Sequence, residues 1–175
     1  MKSNITFIAL NRNFKIDIAK NLAETLGMFY IDINDLIKYE LTNIDKVISL
    51  AGLEYYNKVE TKTVRSVSTY ENTLITLDLD TFFNNDNYKI LKDSSLFIYL
   101  RLNFEQYKEK LEQEIEKKSK HEKSLNKKVF KERDKLINFT SDIVIEFKEN
   151  ENIPQNIIET IKNYYREVLW KKVLL

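Results

Sequence analysis

The chain has 175 residues, of which 43% are apolar and 12% aromatic, enough for the core of one globular domain without structural metals or disulfides. Its 28 basic and 27 acidic residues nearly balance, which argues against nucleic acid and anionic membranes as partners. The absence of cysteine excludes disulfides and thiolate zinc sites, and with no signal peptide or long apolar run in view we expect a cytoplasmic protein.

The first elements of the chain are predicted to be a strand, a loop and a helix. Residues 5–10 have the apolar, β-branched character of a buried strand, and residues 11–17 follow as a loop that contains Lys15. The helix after this loop has one apolar face. That face consists of Ala19, Leu22, Ala23 and Leu26.

Gly27 is well placed to end this helix, because glycine adopts the left-handed conformation of a helix C-cap without strain. A second short strand over residues 28–33 carries Asp32 at its exit. Helical patterns are then predicted over residues 35–41, 44–50 and 53–68.

Three more buried strands are predicted over residues 73–77, 96–100 and 143–147, and Pro154 suits the first turn of a closing helix. Short strands that alternate with longer helical segments need crossover connections. This order indicates an α/β fold with a mostly parallel five-stranded sheet covered by helices on both faces. Ligands of such sheets bind beyond the carboxyl ends of the strands.

One segment of the chain is strongly basic. Residues 117–131 contain seven lysines and His121 against a single acid, Glu122. We favour a solvated helical face or mobile loop for this segment, and His121 would then belong to the same solvated stretch. The alternative is a cationic lid, spanning about residues 113–131, that closes over phosphate groups.

Four short segments resemble one known family. They are Lys15 at the start of the first helix, Asp32 within residues 30–34, residues 52–60, and residues 132–142. Together with the order of elements over nearly the whole chain, these segments resemble the shikimate kinases, small P-loop enzymes that transfer a phosphoryl group from ATP to the 3-hydroxyl of shikimate. The resemblance implies a single P-loop kinase domain over residues 1–175, with three α/β/α layers.

The phosphate loop departs from the family pattern G-x-x-x-x-G-K-[ST] at most of its fixed positions. Ala9 and Phe14 occupy the positions of its two glycines, and Arg12 replaces an intermediate glycine. Lys15 is kept, but Ile16 stands where a hydroxyl should hold Mg²⁺. The resemblance therefore implies Lys15 and Arg12 as phosphate-binding candidates on a degenerate loop, with no metal ligand of its own.

The remaining site residues come from the same resemblance. Asp32 corresponds to a carboxylate of the catalytic centre, and Asn34 replaces a second acid that grips substrate hydroxyls. Asn57 replaces the arginine that should clamp the shikimate carboxylate, whereas the acid Glu60 is in register. Arg133 corresponds to a substrate-contacting arginine, with a surface ion pair to a nearby acid as an equal alternative.

Three neighbouring positions bear on this site. Residues 76–79 replace a glycine-rich stretch of the family, and the acid Asp78 within them would repel a carboxylate substrate. Asp35 could stand in for the lost acid, but we favour a helix N-cap or first-turn role. Lys58 could replace the missing arginine only if the start of its helix were shifted, because it projects about 100° away.

These observations leave three hypotheses for function. The first is a shikimate-kinase-like pseudoenzyme with little or no kinase activity, which binds a small anionic or polyol ligand or a partner. The second is an active kinase that phosphorylates shikimate or a related small hydroxylated acid and requires ATP and Mg²⁺. The third is an interaction protein whose apolar tail, residues 169–175, docks onto another protein or a second copy, although we favour the alternative that the last helix buries Trp170 within its own chain.

Overall fold

The computed structural model describes residues 2–117, 126–149 and 152–173. These residues form five strands and eight helices. In chain order the elements are β1 (Asn4–Ile8), α1 (Arg12–Leu26), β2 (Phe29–Asp32), α2 (Ile33–Leu41), α3 (Ile44–Ser68), β3 (Thr73–Thr76), α4 (Leu79–Phe83), α5 (Asn85–Ser94), β4 (Ser95–Arg101), α6 (Phe104–Lys117), α7 (Lys127–Thr140), β5 (Ile143–Glu146) and α8 (Ile153–Val173).

The strands form one parallel sheet in the order β2-β3-β1-β4-β5. Ile5 of the central strand lies opposite Leu74 on one side and Leu96 on the other. Because every strand runs in the same direction, all five carboxyl ends meet at one edge of the sheet. The five-stranded sheet predicted from the sequence is confirmed, and its pairing is parallel throughout.

Each face of the sheet carries its own apolar cluster. One cluster packs α1 and α8 onto the sheet through Leu22 and Ile157, and the other packs α2, α3, α5 and α7 through residues such as Ile37, Val64 and Ile137. The three-layer α/β/α arrangement is therefore confirmed, because buried apolar side chains cover both faces of the strands.

The start of α1 differs from the prediction. The sequence favoured a loop over residues 11–17, but the helix begins at Arg12, so only residues 9–11 connect β1 to α1. Asn11 is the reason: its side-chain oxygen accepts a hydrogen bond from the backbone N–H of Phe14 (2.9 Å) and caps the helix. Lys15 consequently lies inside the first turns of a helix rather than in a loop.

Other boundaries differ less. The two helical segments predicted at residues 44–50 and 53–68 are one helix, α3, with a kink at Gly52, whose φ is 84°. The prediction passed over α4 and α5, which occupy the connection from β3 to β4. Pro154 lies in the first turn of α8, as predicted.

Two predicted features fall partly outside the description. Residues 118–125, which include His121, lie outside the described residues, so the lid hypothesis for residues 113–131 stays a prediction. The side chains of residues 168–175, Trp170 among them, are likewise outside the description, and the docking tail stays a prediction too. Within the described ranges, no helix is both long and apolar enough to traverse a bilayer.

Gly27 provides a test of the fold. Its φ of 65° is left-handed, and the backbone N–H of Met28 donates to the carbonyl of Ala23 (2.8 Å), which completes the helix end. A Cβ at Gly27 would meet no atom within 4 Å, so backbone strain alone should make Gly27→Ala less stable by about 1–2 kcal/mol.

Chemical denaturation of Gly27→Ala measures this cost. Gly27→Asn is the matched control, because asparagine tolerates the left-handed region, and we expect it to lose roughly half as much. Equal losses for the two variants would contradict the backbone explanation.

Candidate functional site

The carboxyl edge of the sheet brings the predicted phosphate loop against the ends of two neighbouring strands. The chain leaves β1 at Ile8 and reaches Arg12, the first residue of α1. Asp32 ends β2, and Asp78 follows β3. The strand order places β3 between β1 and β2, so basic and acidic groups far apart in sequence meet here.

Arg12 is the centre of this cluster. One guanidinium nitrogen, Nη1, pairs with Asp78 Oδ1, and the other, Nη2, lies 3.1 Å from Asp32 Oδ1 and 3.4 Å from Asp35 Oδ1. Burial disfavours its charged form, but the hydrogen bonds and charges of Asp78 and Asp32 outweigh burial, and the pKa of Arg12 is raised. The donors of this side chain are thus directed at carboxylates of the same chain.

Asp32 is only 4% exposed and its carboxylate is extensively hydrogen-bonded. Besides Arg12, it accepts from the backbone N–H of Asp35 (3.0 Å) and from the hydroxyl of Thr76 (2.8 Å). It is therefore the N-cap of α2, and Asp35 is an acid of the first turn of that helix, the role favoured from the sequence.

Lys15 is 1% exposed. Its ammonium donates to the backbone carbonyl of Leu77, the residue that follows β3. Burial lowers the pKa of Lys15 to about 8, although the charges of Asp78 and Asp32 oppose this shift. The lysine thus points into the protein and is bound to backbone.

The backbone before Lys15 is helical rather than looped. Among the described residues, φ is positive only at Gly27, Thr42, Gly52 and Asn72, none of which lies between residues 9 and 15. A concave cradle of N–H groups around an anion needs alternating right- and left-handed residues. Residues 9–15 do not supply that alternation.

Phe14 packs at the exit of β5. Its ring meets Phe147 edge-on with 5.0 Å between ring centroids, and the ammonium of Lys110 lies 5.5 Å from the Phe14 centroid. The position of the family's second glycine is thus occupied by an aromatic ring in contact with another strand end.

The predicted substrate residues are divided between two places. Asn34 is buried, and its side-chain oxygen accepts from the backbone N–H of Asp78 (2.8 Å), which joins it to the Arg12 cluster. Glu60 is 5% exposed and lies with α4 and α5 instead, accepting from the Thr81 hydroxyl (2.8 Å) and the Asn87 side-chain amide (2.9 Å).

Asn57 and Arg133 lie outside the Arg12 cluster. Asn57 is exposed and lines an open groove of about 440 Å³ between α3 and the start of α5. Lys58 lines the same groove, where its ammonium is paired with Glu54 (2.8 Å) and does not replace the missing arginine. Arg133 is half exposed and lies 3.8 Å from Asp80, consistent with the surface ion-pair alternative.

Several site residues were missed by sequence reasoning. Asp78 was noted only as repulsive to a carboxylate, yet it is a principal partner of Arg12. Thr76, which donates to Asp32, and Tyr56, whose side chain is hydrogen-bonded to Glu60, were given no site role. Their position in the sequence could have identified two of these residues, because Thr76 and Asp78 come at the exit of a predicted buried strand. Among the described residues no group of three or more His, Asp or Glu side chains could hold a metal ion.

Comparisons with known proteins agree on one family. The shikimate kinase family profile matches residues 15–164 of the chain, beginning at Lys15. A shikimate kinase from Dictyoglomus turgidum is 27% identical over 93% of this chain and 99% of its own length, and one from Caldicellulosiruptor bescii is 31% identical over 55% of this chain and 57% of its own length.

A solved structure supports the fold independently. The shikimate kinase from Acinetobacter baumannii, solved in complex with shikimate, superposes with a TM-score of 0.76 at 17% identity, covering 93% of this chain and 94% of its own. The P-loop kinase fold is therefore shared. The chain belongs to the shikimate kinase family.

Proposed function

We propose that this chain is a shikimate kinase family member with little or no phosphoryl-transfer activity, whose remaining pocket binds a small ligand or a partner. The observation that carries this proposal is the ion-pair cluster of Arg12. Its guanidinium joins Asp78, Asp32 and Asp35 at the mouth of the β1–α1 connection, where the family's loop would receive phosphate.

The electrostatics of the cluster support the proposal. Three carboxylates surround Arg12, so an incoming triphosphate would meet net negative charge. To bind phosphate, Arg12 would have to leave Asp32, which would then be buried without its cation. Breaking such a pair costs several kcal/mol when both partners are buried. For this half-exposed arginine we expect a cost of about 2 kcal/mol, which would lower the affinity for phosphate more than tenfold.

ATP and Mg²⁺ fit the residues present poorly. Ile16 offers no oxygen to a metal, and the ammonium of Lys15 is bound to the Leu77 carbonyl inside the protein. The helical backbone over residues 12–14 directs no cradle of N–H groups at a phosphate. We therefore derive no phosphoryl-transfer step for this chain.

The competing function is an active kinase acting on shikimate or a related small hydroxylated acid with MgATP. Family membership favours it, as does a relative named shikimate kinase that is similar along almost its full length. An active kinase would require Arg12 to move away from its carboxylates and Lys15 to leave a buried hydrogen bond. Both rearrangements cost free energy and therefore weaken the binding of ATP.

Titration with MgATP separates the two functions. We expect no binding tighter than about 1 mM by calorimetry and no shikimate-dependent ADP release in a coupled assay, because both candidate phosphate-binding cations, Arg12 and Lys15, are already bound within the chain. The Dictyoglomus turgidum shikimate kinase, assayed in the same buffers, is the positive control. A micromolar dissociation constant together with shikimate-dependent turnover would overturn the proposal.

Replacing Lys15 by methionine tests its buried state. The pKa of Lys15 is lowered to about 8 from 10.5, so the folded protein is penalised for holding this charge at neutral pH. After the lost hydrogen bond to Leu77 is deducted, Lys15→Met should stabilise the fold by about 1–2 kcal/mol at pH 7.

The sign of the pH effect follows from the lowered pKa. Between about pH 8 and 10.5 the unfolded chain holds more protons than the folded one, so the wild-type penalty disappears and the advantage of Lys15→Met should shrink. Urea unfolding at several pH values measures this. Lys46→Met, at an exposed position, should stay within about 0.5 kcal/mol of wild type and show no such trend; a destabilised Lys15→Met would contradict the assignment.

A further inference from the structure

The outer face of α7 carries a row of lysines. The inner face of this helix is buried through Phe130 and Ile137. Because successive helical residues are about 100° apart, Lys128, Lys131 and Lys135 lie together on the opposite, exposed side. None of their ammonium groups forms an ion pair with another described residue. The row therefore presents three positive charges that the described chain does not neutralise.

Apolar side chains lie beside this row and are left uncovered. Val129 and Leu136 are 39% and 48% exposed, and Phe139 is 87% exposed. Val129 and Leu136 are about 20° apart around the helix, and Phe139 lies about 60° from Leu136, towards the lysines. Single apolar side chains on a surface are ordinary, but a row of them along about 15 Å of one helix is typical of an interaction surface.

The preceding helix, α6, carries a complementary row of acids. Glu105, Glu109 and Glu112 are exposed and follow the helical repeat, so their carboxylates lie together on its solvent side. One lysine accompanies them, since the ammonium of Lys108 lies 3.7 Å from Glu112. Helix α7 has the reverse composition, because Glu132 is the one exposed acid beside its three lysines. In both helices the three like charges extend over about 10 Å.

The two rows do not pair within one copy of the chain. Helices α6 and α7 contact each other through their inner faces, where the ring centroid of Phe130 lies 5.3 Å from that of Phe104 and 5.1 Å from that of Tyr107. Among the ion pairs of the described residues, none joins α6 to α7. The protein thus presents a negative row on one helix and a positive row on the neighbouring helix.

We infer that this surface binds a second copy of the chain, with α6 of each copy against α7 of its partner. A two-fold axis brings the same patch of both copies together, so a patch with one negative and one positive half is complementary to itself. The contact also covers Val129, Leu136 and Phe139, and their burial favours association. The inference does not depend on the loss of kinase activity, because the surface does not include the Arg12 cluster.

Glu132 favours a protein partner over an anionic membrane or a nucleic acid. Its position around the helix lies within the apolar row, between those of Leu136 and Phe139. Lipid or nucleic acid phosphates at this row would meet a carboxylate that nothing neutralises. A second copy instead offers Lys108 beside its row of acids.

Sedimentation equilibrium of the full-length protein tests the association. At about 25 mM ionic strength we expect a monomer–dimer equilibrium with a dissociation constant of about 10–100 µM. About 500 mM salt should weaken it at least threefold, because exposed charges are screened. Phe139→Ser, which leaves the charge unchanged, should weaken it about tenfold or more.

Reversal of the charge of each row identifies the contact. The first variant carries Lys128→Glu, Lys131→Glu and Lys135→Glu, and the second carries Glu105→Lys, Glu109→Lys and Glu112→Lys. Each variant alone should dimerise at least about tenfold more weakly, because its two rows then have the same sign. An equimolar mixture of the two should form a heterodimer within about threefold of the wild-type affinity, because both contacts again join opposite charges.

A matched control has the same change in net charge as the first variant. It carries Lys46→Glu, Lys89→Glu and Lys162→Glu, at exposed positions of α3, α5 and α8, and should dimerise within about threefold of wild type. Circular dichroism checks that each variant is folded. The salt dependence and Phe139→Ser keep the test decisive if a triple variant does not fold.

Four results would overturn the inference. The first is a wild-type protein that stays monomeric up to about 500 µM. The second is a dimer that tolerates both charge reversals, which would place the contact elsewhere, for example at the C-terminal helix. The third is a mixture of the two variants that does not associate. The fourth is growth beyond a dimer, since a two-fold contact closes on itself.

Discussion

The shape of the site depends on where the guanidinium of Arg12 goes. As the first residue of a helix capped by Asn11, Arg12 is directed towards the ends of β2 and β3, where Asp32 and Asp78 lie. A half-buried guanidinium needs carboxylates, and a buried Asp32 needs a cation, so each group fixes the other. The same pairing engages the guanidinium of Arg12 at the β1–α1 connection, where the resemblance to the family places the phosphate loop.

The fold was predictable because the hydrophobic pattern of each strand is visible in its own sequence. The run over residues 96–100 is continuously apolar, and the run over residues 73–77 combines apolar residues with β-branched threonines. Such runs are typical of strands buried on both faces, and the helices between them require parallel pairing. The start of α1 was not predictable to the same degree. It depends on one side-chain cap at Asn11 and on acids 20 and 66 residues away from Arg12, which a local pattern does not contain.

The sequence predicted which residues form the site better than it predicted their roles. Resemblance to the family picked out Lys15, Asp32, Asn34 and Glu60, and all four are buried polar residues of the described structure. Their partners are other parts of the same chain: a backbone carbonyl for Lys15, a helix start for Asp32, a backbone N–H for Asn34. A sequence motif specifies which side chain is present at a position. The role of that side chain depends on the contacts that it makes in the folded protein.

The fate of Glu60 shows why a retained acid is weak support for catalysis. Its carboxylate ties α3 to α4 and α5 through Thr81 and Asn87, so removing it would leave buried donors unpaired whether or not a ligand binds. Asn57, by contrast, is exposed, so the loss of an arginine at this position costs the fold little. The retention of Glu60 is therefore explained by its contacts within the fold, and it is no sign that a reaction has been retained.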